Sequence, residues 1–123
     1  MRCPCLSGEI FDNCCGPLLA GRAAPTAERL MRSRFTAFAR GDAAHLLRTW
    51  HPSTRPAELE LEDAIRWTRL DVIGTEQGGP FDSEGVVAFE AFFREAGQVG
   101  SMRERSRFVR EGREWFYLDG VAG

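Results

Sequence analysis

The sequence contains no lysine, and all sixteen of its basic residues are arginine. Without lysine the chain has no side-chain amine for a Schiff base and no Walker-type phosphate loop, which excludes two large groups of enzymes. It also lacks the run of about 20 apolar residues that a membrane-spanning helix requires. The formal charge is −2, so the overall charge does not favour bulk attraction to nucleic acid. We therefore expect a protein with no membrane span and no general affinity for polyanions.

Cysteine is absent after residue 15, and the chain has four, at Cys3, Cys5, Cys14 and Cys15. A disulfide inside either close pair would be strained, because the Cβ atoms must lie about 3.5–4.5 Å apart. Arg2 is followed by cysteines and not by the apolar run of a secretory leader, so we expect a cytoplasmic protein with reduced thiols. Four thiolates at about 2.3 Å from one ion form a tetrahedral zinc site, and iron is the alternative. The pattern favours a metal over disulfides between the two pairs or free redox thiols.

The segment that holds these cysteines resembles the SEC-C motif, with Cys-Pro-Cys-Leu-Ser-Gly at its start and Cys-Cys-Gly at its end. That motif is a small metal-binding knuckle at the C-terminus of the translocase ATPase SecA and in many unrelated bacterial proteins. Ser7, Gly8 and Phe11 match it as well as the four cysteines do. Leu6 stands where the motif usually has glycine, and Glu9 where it usually has lysine. The resemblance implies a small metal-binding unit over residues 1–17, which we call the knuckle.

Three further blocks, at residues 24–38, 49–55 and 104–110, resemble the bacterial YchJ-like family in the same order along the chain. This family joins an N-terminal SEC-C motif to a nuclear transport factor 2-like domain and has no established activity. The resemblance covers nearly the whole chain. It implies an α+β domain over residues 25–123, in which a curved antiparallel sheet wraps over helices and encloses a conical pocket.

Helical periodicity predicts a first long helix over residues 26–40, with Thr26 as its N-cap and Gly41 as its stop. Its apolar face comprises Ala27, Leu30, Met31, Phe35 and Phe38. The polar residues between them, including Ser33 and Thr36, are expected on the solvated side. The helix is therefore predicted to be amphipathic, with one face packed against a hydrophobic core.

A second helix is predicted from the Asp42 cap to about Thr49, with His45 on its outer side. Residues 57–65 are expected to add a third short helix. Four strands follow, at about 67–77, 85–94, 102–111 and 114–119. Turn residues separate them, including a turn over 96–101. Helices before a meander of about four strands predict an α+β fold with an antiparallel sheet.

Arg34 interrupts the apolar face of the first long helix. An unpaired buried guanidinium is costly, so Arg34 needs a carboxylate or carbonyl partner, or a wet cavity. Alternation along the third strand places Glu104 on the same inward side as Met102 and Phe108. Glu104 is therefore the expected partner of Arg34, and a ligand-binding arginine inside a pocket is the alternative.

The same alternation places Arg103, Arg105 and Arg107 on the opposite side of the third strand. We interpret this row as a solvated sheet face balanced by acidic neighbours. The alternative is a contact surface for an anion or RNA, with Trp115 or Tyr117 as stacking groups. A homodimer through the sheet face, common among related folds, would compete for this surface.

The candidate pocket residues are Arg34, Trp50, His51, Arg55 and Glu104. Among them, only His51 is of a type that acts as a general base near neutral pH. An enzyme of the isomerase or dehydratase kind would need His51 close to Glu104. A small-molecule binding domain would have an enclosed cavity of roughly a few hundred Å³, with Arg34 free to meet an anionic ligand.

Fold alone does not decide function, and three hypotheses follow. The knuckle serves as an interaction or adaptor module for a protein or ribosome-associated partner, the pocket binds a small molecule, or the pocket is an active site. We favour the metal-binding interaction module over an enzyme.

Overall fold

The structure is a computed structural model that describes residues 1–123. Three α-helices precede four strands: α1 Cys15–Leu19, α2 Ala27–Arg40, α3 Ala43–Arg48, β1 Ile65–Gln77, β2 Glu84–Glu95, β3 Gln98–Glu111 and β4 Glu114–Ala122. A single 3₁₀ turn, Phe11–Asn13, lies ahead of α1. None of the helices is long and apolar enough to cross a membrane. The predicted α+β class and four-stranded antiparallel sheet are confirmed.

Helix α2 begins and ends where its local signals predict. The Thr26 side chain accepts a hydrogen bond from the backbone N–H of Arg29 at 3.1 Å. Gly41 ends the helix in the left-handed conformation, with φ of 75°. Ala27, Leu30, Met31 and Phe35 are buried and Phe38 is half-buried. The predicted apolar face is therefore confirmed.

The expected solvated side of α2 is wrong at Ser33 and Thr36, which are both fully buried. The Ser33 hydroxyl lies under α3, 2.9 Å from the Nε2 atom of His45. Thr36 lies under the knuckle, with its Oγ1 atom 3.7 Å from the Sγ of Cys3. Helix α2 is thus covered by the sheet on one side and by α3 and the knuckle on the other. Small hydroxyl side chains tolerate this burial because each finds a hydrogen-bonding partner.

Helix α3 follows the predicted Asp42 cap, whose carboxylate accepts from the backbone N–H of His45 at 3.0 Å. His45 lies inside the protein and not on the outer side, with an exposed fraction of 1%. Its Nδ1 accepts from Arg48 Nη2 at 2.9 Å, so its Nε2 carries the proton and donates to Ser33. Burial, followed by the charge of Arg48, lowers the pKa of His45 to about 4. The ring is therefore neutral at pH 7 and connects α3 to α2.

Residues 57–65 do not form the predicted third helix, and the segment stays irregular until β1 begins. On a helix, Glu58 and Glu62 would lie one turn apart and repel each other. Leu59 and Leu61 are half-buried, while Glu60 between them and Glu58 and Glu62 on either side are exposed. That alternation is typical of extended chain.

The sheet is a meander in the order β1-β2-β3-β4, and every neighbouring pair is antiparallel. A two-residue turn at Ala96 and Gly97, with φ of 52° and 80°, joins β2 to β3. It is shorter than the turn predicted over 96–101. Register shifts in β1 and between Arg107 and Phe108 interrupt the ladders, and such irregularities bend a sheet.

Two apolar clusters hold the chain together. The larger lies between α2 and the inner face of the sheet, and the smaller is formed by the four cysteines with Phe11 and Leu19 packed against it. Helix α1 joins the two, because Leu18 belongs to the larger cluster. Residues 18–24, which lie between the knuckle and the predicted α+β domain, are therefore helical at their start.

Candidate metal centre and internal pocket

The four cysteine Sγ atoms lie within 4.8 Å of one another, and each cysteine is at most 4% exposed. The Sγ of Cys14 is 3.6 Å from that of Cys5 and 3.9 Å from that of Cys15. An ion at about 2.3 Å from four tetrahedral sulfurs would space them by about 3.8 Å. No disulfide joins the cysteines. The spacing is that of sulfurs around one ion and suggests a metal site.

Backbone contacts within the knuckle hold the two cysteine pairs opposite each other. An isolated bridge between Arg2 and Ile10 closes the loop between the pairs. Gly16 packs directly against Phe11, and a Cβ on Gly16 would lie 2.8 Å from the Phe11 carbonyl oxygen. The glycine after the second cysteine pair is therefore required by close packing.

Leu6 occupies a backbone position suited to glycine, with φ of 62°. This left-handed conformation costs an L-residue about 1–2 kcal/mol. The Leu6 side chain is 53% exposed, so little packing offsets the strain. The departure from the SEC-C pattern at this position thus leaves the backbone shape intact and stores strain in the knuckle.

The thiols cannot all ionise without a cation. Hydrogen bonding, led by that from Cys15, lowers the pKa of Cys5 to about 4 against the effect of burial. Burial raises the pKa of Cys14, and hydrogen bonding to Cys5 raises that of Cys15. One thiolate therefore disfavours ionisation of the neighbouring thiols. A divalent cation among them would offset that repulsion and allow all four to ionise. The donor set fits a metal ion.

Helix α2 contributes basic groups beside this cluster. Arg32 donates from Nη1 to the carbonyl oxygen of Cys5 at 2.9 Å and pairs through Nε with Glu28 at 3.0 Å. Arg29 Nη2 donates to the Cys14 carbonyl at 3.5 Å. Four thiolates around one divalent ion would carry a net negative charge, which these guanidinium groups oppose. The cysteine cluster and α2 are thus packed against each other.

A separate cavity of about 130 Å³ lies between α2 and the inner face of the sheet. Its walls are mostly apolar and include Phe35, Trp67 and Phe89. Arg34 and Glu104 add polar groups to the lining. The cavity is smaller than the sequence-based expectation, because aromatic side chains fill much of the space.

Arg34 lines this cavity and is 4% exposed. Its Nη1 donates to the Leu46 carbonyl and to Thr49 Oγ1, both at 2.8 Å. The guanidinium carbon lies 4.4 Å from the centroid of the Tyr117 ring and 5.2 Å from that of Trp50. Burial lowers the pKa of Arg34 to about 10, which still leaves it charged at pH 7. Two acceptors, on α3 and at its C-cap, and two aromatic faces stabilise this buried charge, while Nε and Nη2 have no protein acceptor.

The expected ion pair between Arg34 and Glu104 is not formed. The Oε2 atom of Glu104 accepts instead from Ser106 Oγ at 2.5 Å and from the Tyr117 hydroxyl at 3.4 Å. Burial, followed by the charge of Glu104, raises the pKa of Tyr117 to about 12. Tyr117 therefore connects the two charged residues, with its ring against Arg34 and its hydroxyl on Glu104.

The cavity contains three of the five predicted pocket residues: Arg34, Trp50 and Glu104. His51 lies outside it, with Nε2 paired to Glu111 at 2.8 Å. Arg55 is exposed and donates from Nε to the Trp50 carbonyl. The acid–base pair of His51 and Glu104 that the enzyme hypothesis needs is not assembled.

Tyr117 is the pocket residue that the sequence reasoning misplaced, as a stacking group beside the arginine row. It alternates with Trp115, which is 3% exposed, and both face the core. Their spacing in the sequence was the signal that could have placed Tyr117 inside.

The arginine row on β3 is exposed and paired, as the solvated-face interpretation expects. The pairs are Arg103–Glu90 at 3.3 Å, Arg105–Glu76 at 2.8 Å and Arg107–Asp119 at 2.6 Å. Each arginine has an acidic neighbour, and the two aromatic residues proposed for stacking lie on the other face. This arrangement disfavours an RNA-binding strip.

Residues 26–120 match the family described as "YchJ, middle NTF2-like domain", where NTF2 is nuclear transport factor 2. This chain belongs to the YchJ-like family. UPF0225 proteins of Streptomyces avermitilis and Streptomyces coelicolor are each 51% identical to it over 119 residues, which is 96% of this chain and 82% and 93% of theirs.

Solved structures show the same fold with the knuckle attached. The solution structure of RPA3114, a SEC-C motif-containing protein from Rhodopseudomonas palustris, has a TM-score of 0.87 and 35% identity, over 100% of this chain and 99% of that one. A SEC-C motif-containing protein from Psychrobacter arcticus has a TM-score of 0.78, over 98% and 82% of the two chains. At 23% identity it shows the fold alone. The YchJ-like and SEC-C resemblances are confirmed.

Proposed function

We propose that this YchJ-like protein is a zinc-binding interaction module whose ion is held by Cys3, Cys5, Cys14 and Cys15. The four buried Sγ atoms within 4.8 Å of one another support this most directly. Tetrahedral thiolates suit zinc, and iron accepts the same donors. A cytoplasmic setting keeps such thiols reduced and ready for metal.

The ion has a structural role in this proposal. Four thiolates fill a tetrahedral site and leave no open position for a catalytic water. Binding the ion instead joins the two cysteine pairs and keeps the knuckle packed on Thr36 and Arg32 of α2. Loss of the ion would release residues 1–17 and any surface that they form.

That surface is the proposed contact for a protein or ribosome-associated partner. The knuckle exposes three large apolar side chains, with exposed fractions of 87% at Met1, 53% at Leu6 and 45% at Ile10. Leu6 is both strained and exposed, and backbone strain tends to persist at functional positions. A partner that covers Leu6 would account for a leucine at a glycine position.

Elemental analysis of natively purified protein tests the metal centre. We expect one zinc per chain, and its loss in Cys14→Ser. One iron per chain would mean that the four cysteines bind iron in place of zinc. No metal, together with four titratable thiols, would overturn the centre.

Co-sedimentation with ribosomes tests the contact surface, with Leu6→Gly beside Cys14→Ser. Leu6→Gly keeps all four cysteines and removes the exposed side chain. We expect both variants to lose co-sedimentation, while Leu6→Gly retains its metal. Equal binding by Leu6→Gly and the parent protein would remove Leu6 from the interface.

A second candidate function, binding of a small molecule, is supported by the internal cavity. Its lining includes the buried guanidinium of Arg34, of which only Nη1 has protein acceptors. Bound-ligand detection by native mass spectrometry of freshly purified protein tests it. A constant mass excess that disappears on denaturation is expected, and a bare protein mass after addition of cavity-sized ligands would count against it.

A further inference from the structure

We infer that the cavity binds a small, uncharged, planar ring that carries a hydrogen-bond acceptor beside a donor, as a cyclic amide does. The inference deepens the second candidate function above and rests on it. It is independent of the metal centre, because none of the four cysteines lines the cavity.

The cavity contains donors that the protein leaves without acceptors. Both hydrogen bonds of Arg34 come from Nη1, so Nε and Nη2 have no protein partner. Neither atom is among the fully buried side-chain atoms that lack a partner, so a molecule in the cavity can reach both. An acceptor atom from outside the chain would therefore bind favourably near Arg34.

An acceptor faces the same space. Glu104 is half-buried, and both of its hydrogen bonds end on Oε2, from Ser106 and Tyr117. Its Oε1 atom has no donor. A ligand that donates to Glu104 while it accepts from Arg34 would use both unpaired sites.

The opposite charges of Arg34 and Glu104 select against charged ligands. An anion drawn to Arg34 would be placed beside the Glu104 carboxylate, and a cation drawn to Glu104 beside the guanidinium. Between mostly apolar walls, either repulsion acts at low dielectric and is costly. A neutral molecule with adjacent acceptor and donor avoids both penalties.

The size of the cavity and its apolar walls favour a ligand with a single flat ring. The volume of about 130 Å³ is close to the roughly 150 Å³ of an engineered apolar cavity that admits benzene. Phe35 and Phe38 pack around Trp67, with ring centroids 6.4 Å and 6.0 Å from it. These aromatic faces suit stacking or edge contacts with another ring. Met102, which also lines the cavity, is 37% exposed.

Titration with four ring compounds of similar size tests the inference: 2-pyridone, benzoate, benzylammonium and benzene. Amide and indole N–H signals report binding in a ¹H–¹⁵N spectrum of the whole chain. We expect 2-pyridone to bind about tenfold more tightly than any of the other three, since one additional hydrogen bond to a charged group accounts for that factor. Its binding should shift the Trp50 indole signal.

The Glu104→Gln variant serves as the matched control, because it keeps the side-chain shape and removes the charge. We expect it to bind benzoate about tenfold more tightly than the parent, and 2-pyridone more weakly. If the parent protein preferred benzoate or benzene, the proposed ligand class would be wrong, although the cavity would still be a small-molecule site. No shift of any lining residue with any of the four compounds at millimolar concentration would overturn the site itself.

Discussion

The Oγ1 atom of Thr36, in the middle of α2, lies 3.7 Å from the Sγ of Cys3 in the knuckle. Both residues are almost completely buried. The contact places a candidate metal ligand directly on the helix that also carries Arg34 of the cavity. Because α2 is packed on both sides, we expect a change at the cysteine cluster to alter the stability of the whole domain.

Replacement of Thr36 by valine removes the hydroxyl and keeps the side-chain shape. Outer-shell groups of this kind typically contribute about 10–100-fold to metal affinity, so we expect Thr36→Val to weaken zinc binding by about 10-fold. Competition with a chromophoric chelator measures the change. Thr75→Val, at an exposed position on β1, is the control and should bind as the parent does. Equal affinities for both variants would mean that Thr36 only fills space.

Leu6→Gly should stabilise the knuckle by up to about 1 kcal/mol, because glycine adopts φ of 62° without strain. Gly8 also has a positive φ, of 96°, and Gly8→Ala should have the opposite effect. Zinc affinity and thermal unfolding of the metal-loaded protein check both variants. A lower affinity for Leu6→Gly would show that the leucine side chain stabilises the knuckle through packing.

Acid should destabilise the protein through His45. Its ordinary pKa is about 6.5, and burial together with Arg48 lowers the pKa to about 4 in the folded state. The stabilising contribution is therefore complete above pH 6.5 and is lost as the pH falls from 6.5 to 4. Its upper limit is about 3 kcal/mol.

Urea unfolding at several pH values measures this loss, with His45→Gln as the comparison. Acid also releases metal from thiolates, so the difference between the two curves is the relevant quantity. The variant should be less stable at pH 7 and less sensitive to pH between 6.5 and 4. Parallel curves would assign the acid sensitivity to groups other than His45.

Gly85→Ala should destabilise the fold by about 2–3 kcal/mol through overpacking. A Cβ on Gly85 would lie 2.5 Å from the Gly78 Cα and 3.2 Å from the Ala27 Cβ. The start of α2 approaches the β1–β2 hairpin closely there, with Ala27 N–H donating to the Gly78 carbonyl at 2.9 Å. Thermal unfolding measures the effect. Gly74→Ala on β1, with no atom within 4 Å of the added Cβ, should not lower the melting temperature and should raise it slightly, because alanine reduces the entropy of the unfolded chain.

Local signals in the sequence predicted most of the elements. The Thr26 cap, the Gly41 stop and the alternation along β3 all act between residues a few positions apart, so the structure reproduces them. The predicted third helix was wrong, because half-buried Leu59 and Leu61 alternate with exposed Glu60, which is the period of extended chain and not of a helix. The cluster of four cysteines could also be predicted from the sequence, because their close spacing left few alternatives to a shared metal ion.

The internal contacts of the site were decided by tertiary structure. Ser33 and His45 are 12 residues apart, and Cys3 and Thr36 are 33 apart. Periodicity identifies an apolar face but does not show that a polar face is covered by a second layer. The same holds for Arg34, which obtained carbonyl, hydroxyl and aromatic partners in place of Glu104.

By itself, the sequence determined the α+β class, the capping of α2, the inward side of β3 and the clustering of four thiols, because each depends on short-range geometry. Only the tertiary structure placed the knuckle on α2, excluded His51 from the cavity and put Tyr117 between Arg34 and Glu104. These outcomes depend on how layers pack against one another. Buried polar groups take whichever partners that packing brings within hydrogen-bonding distance.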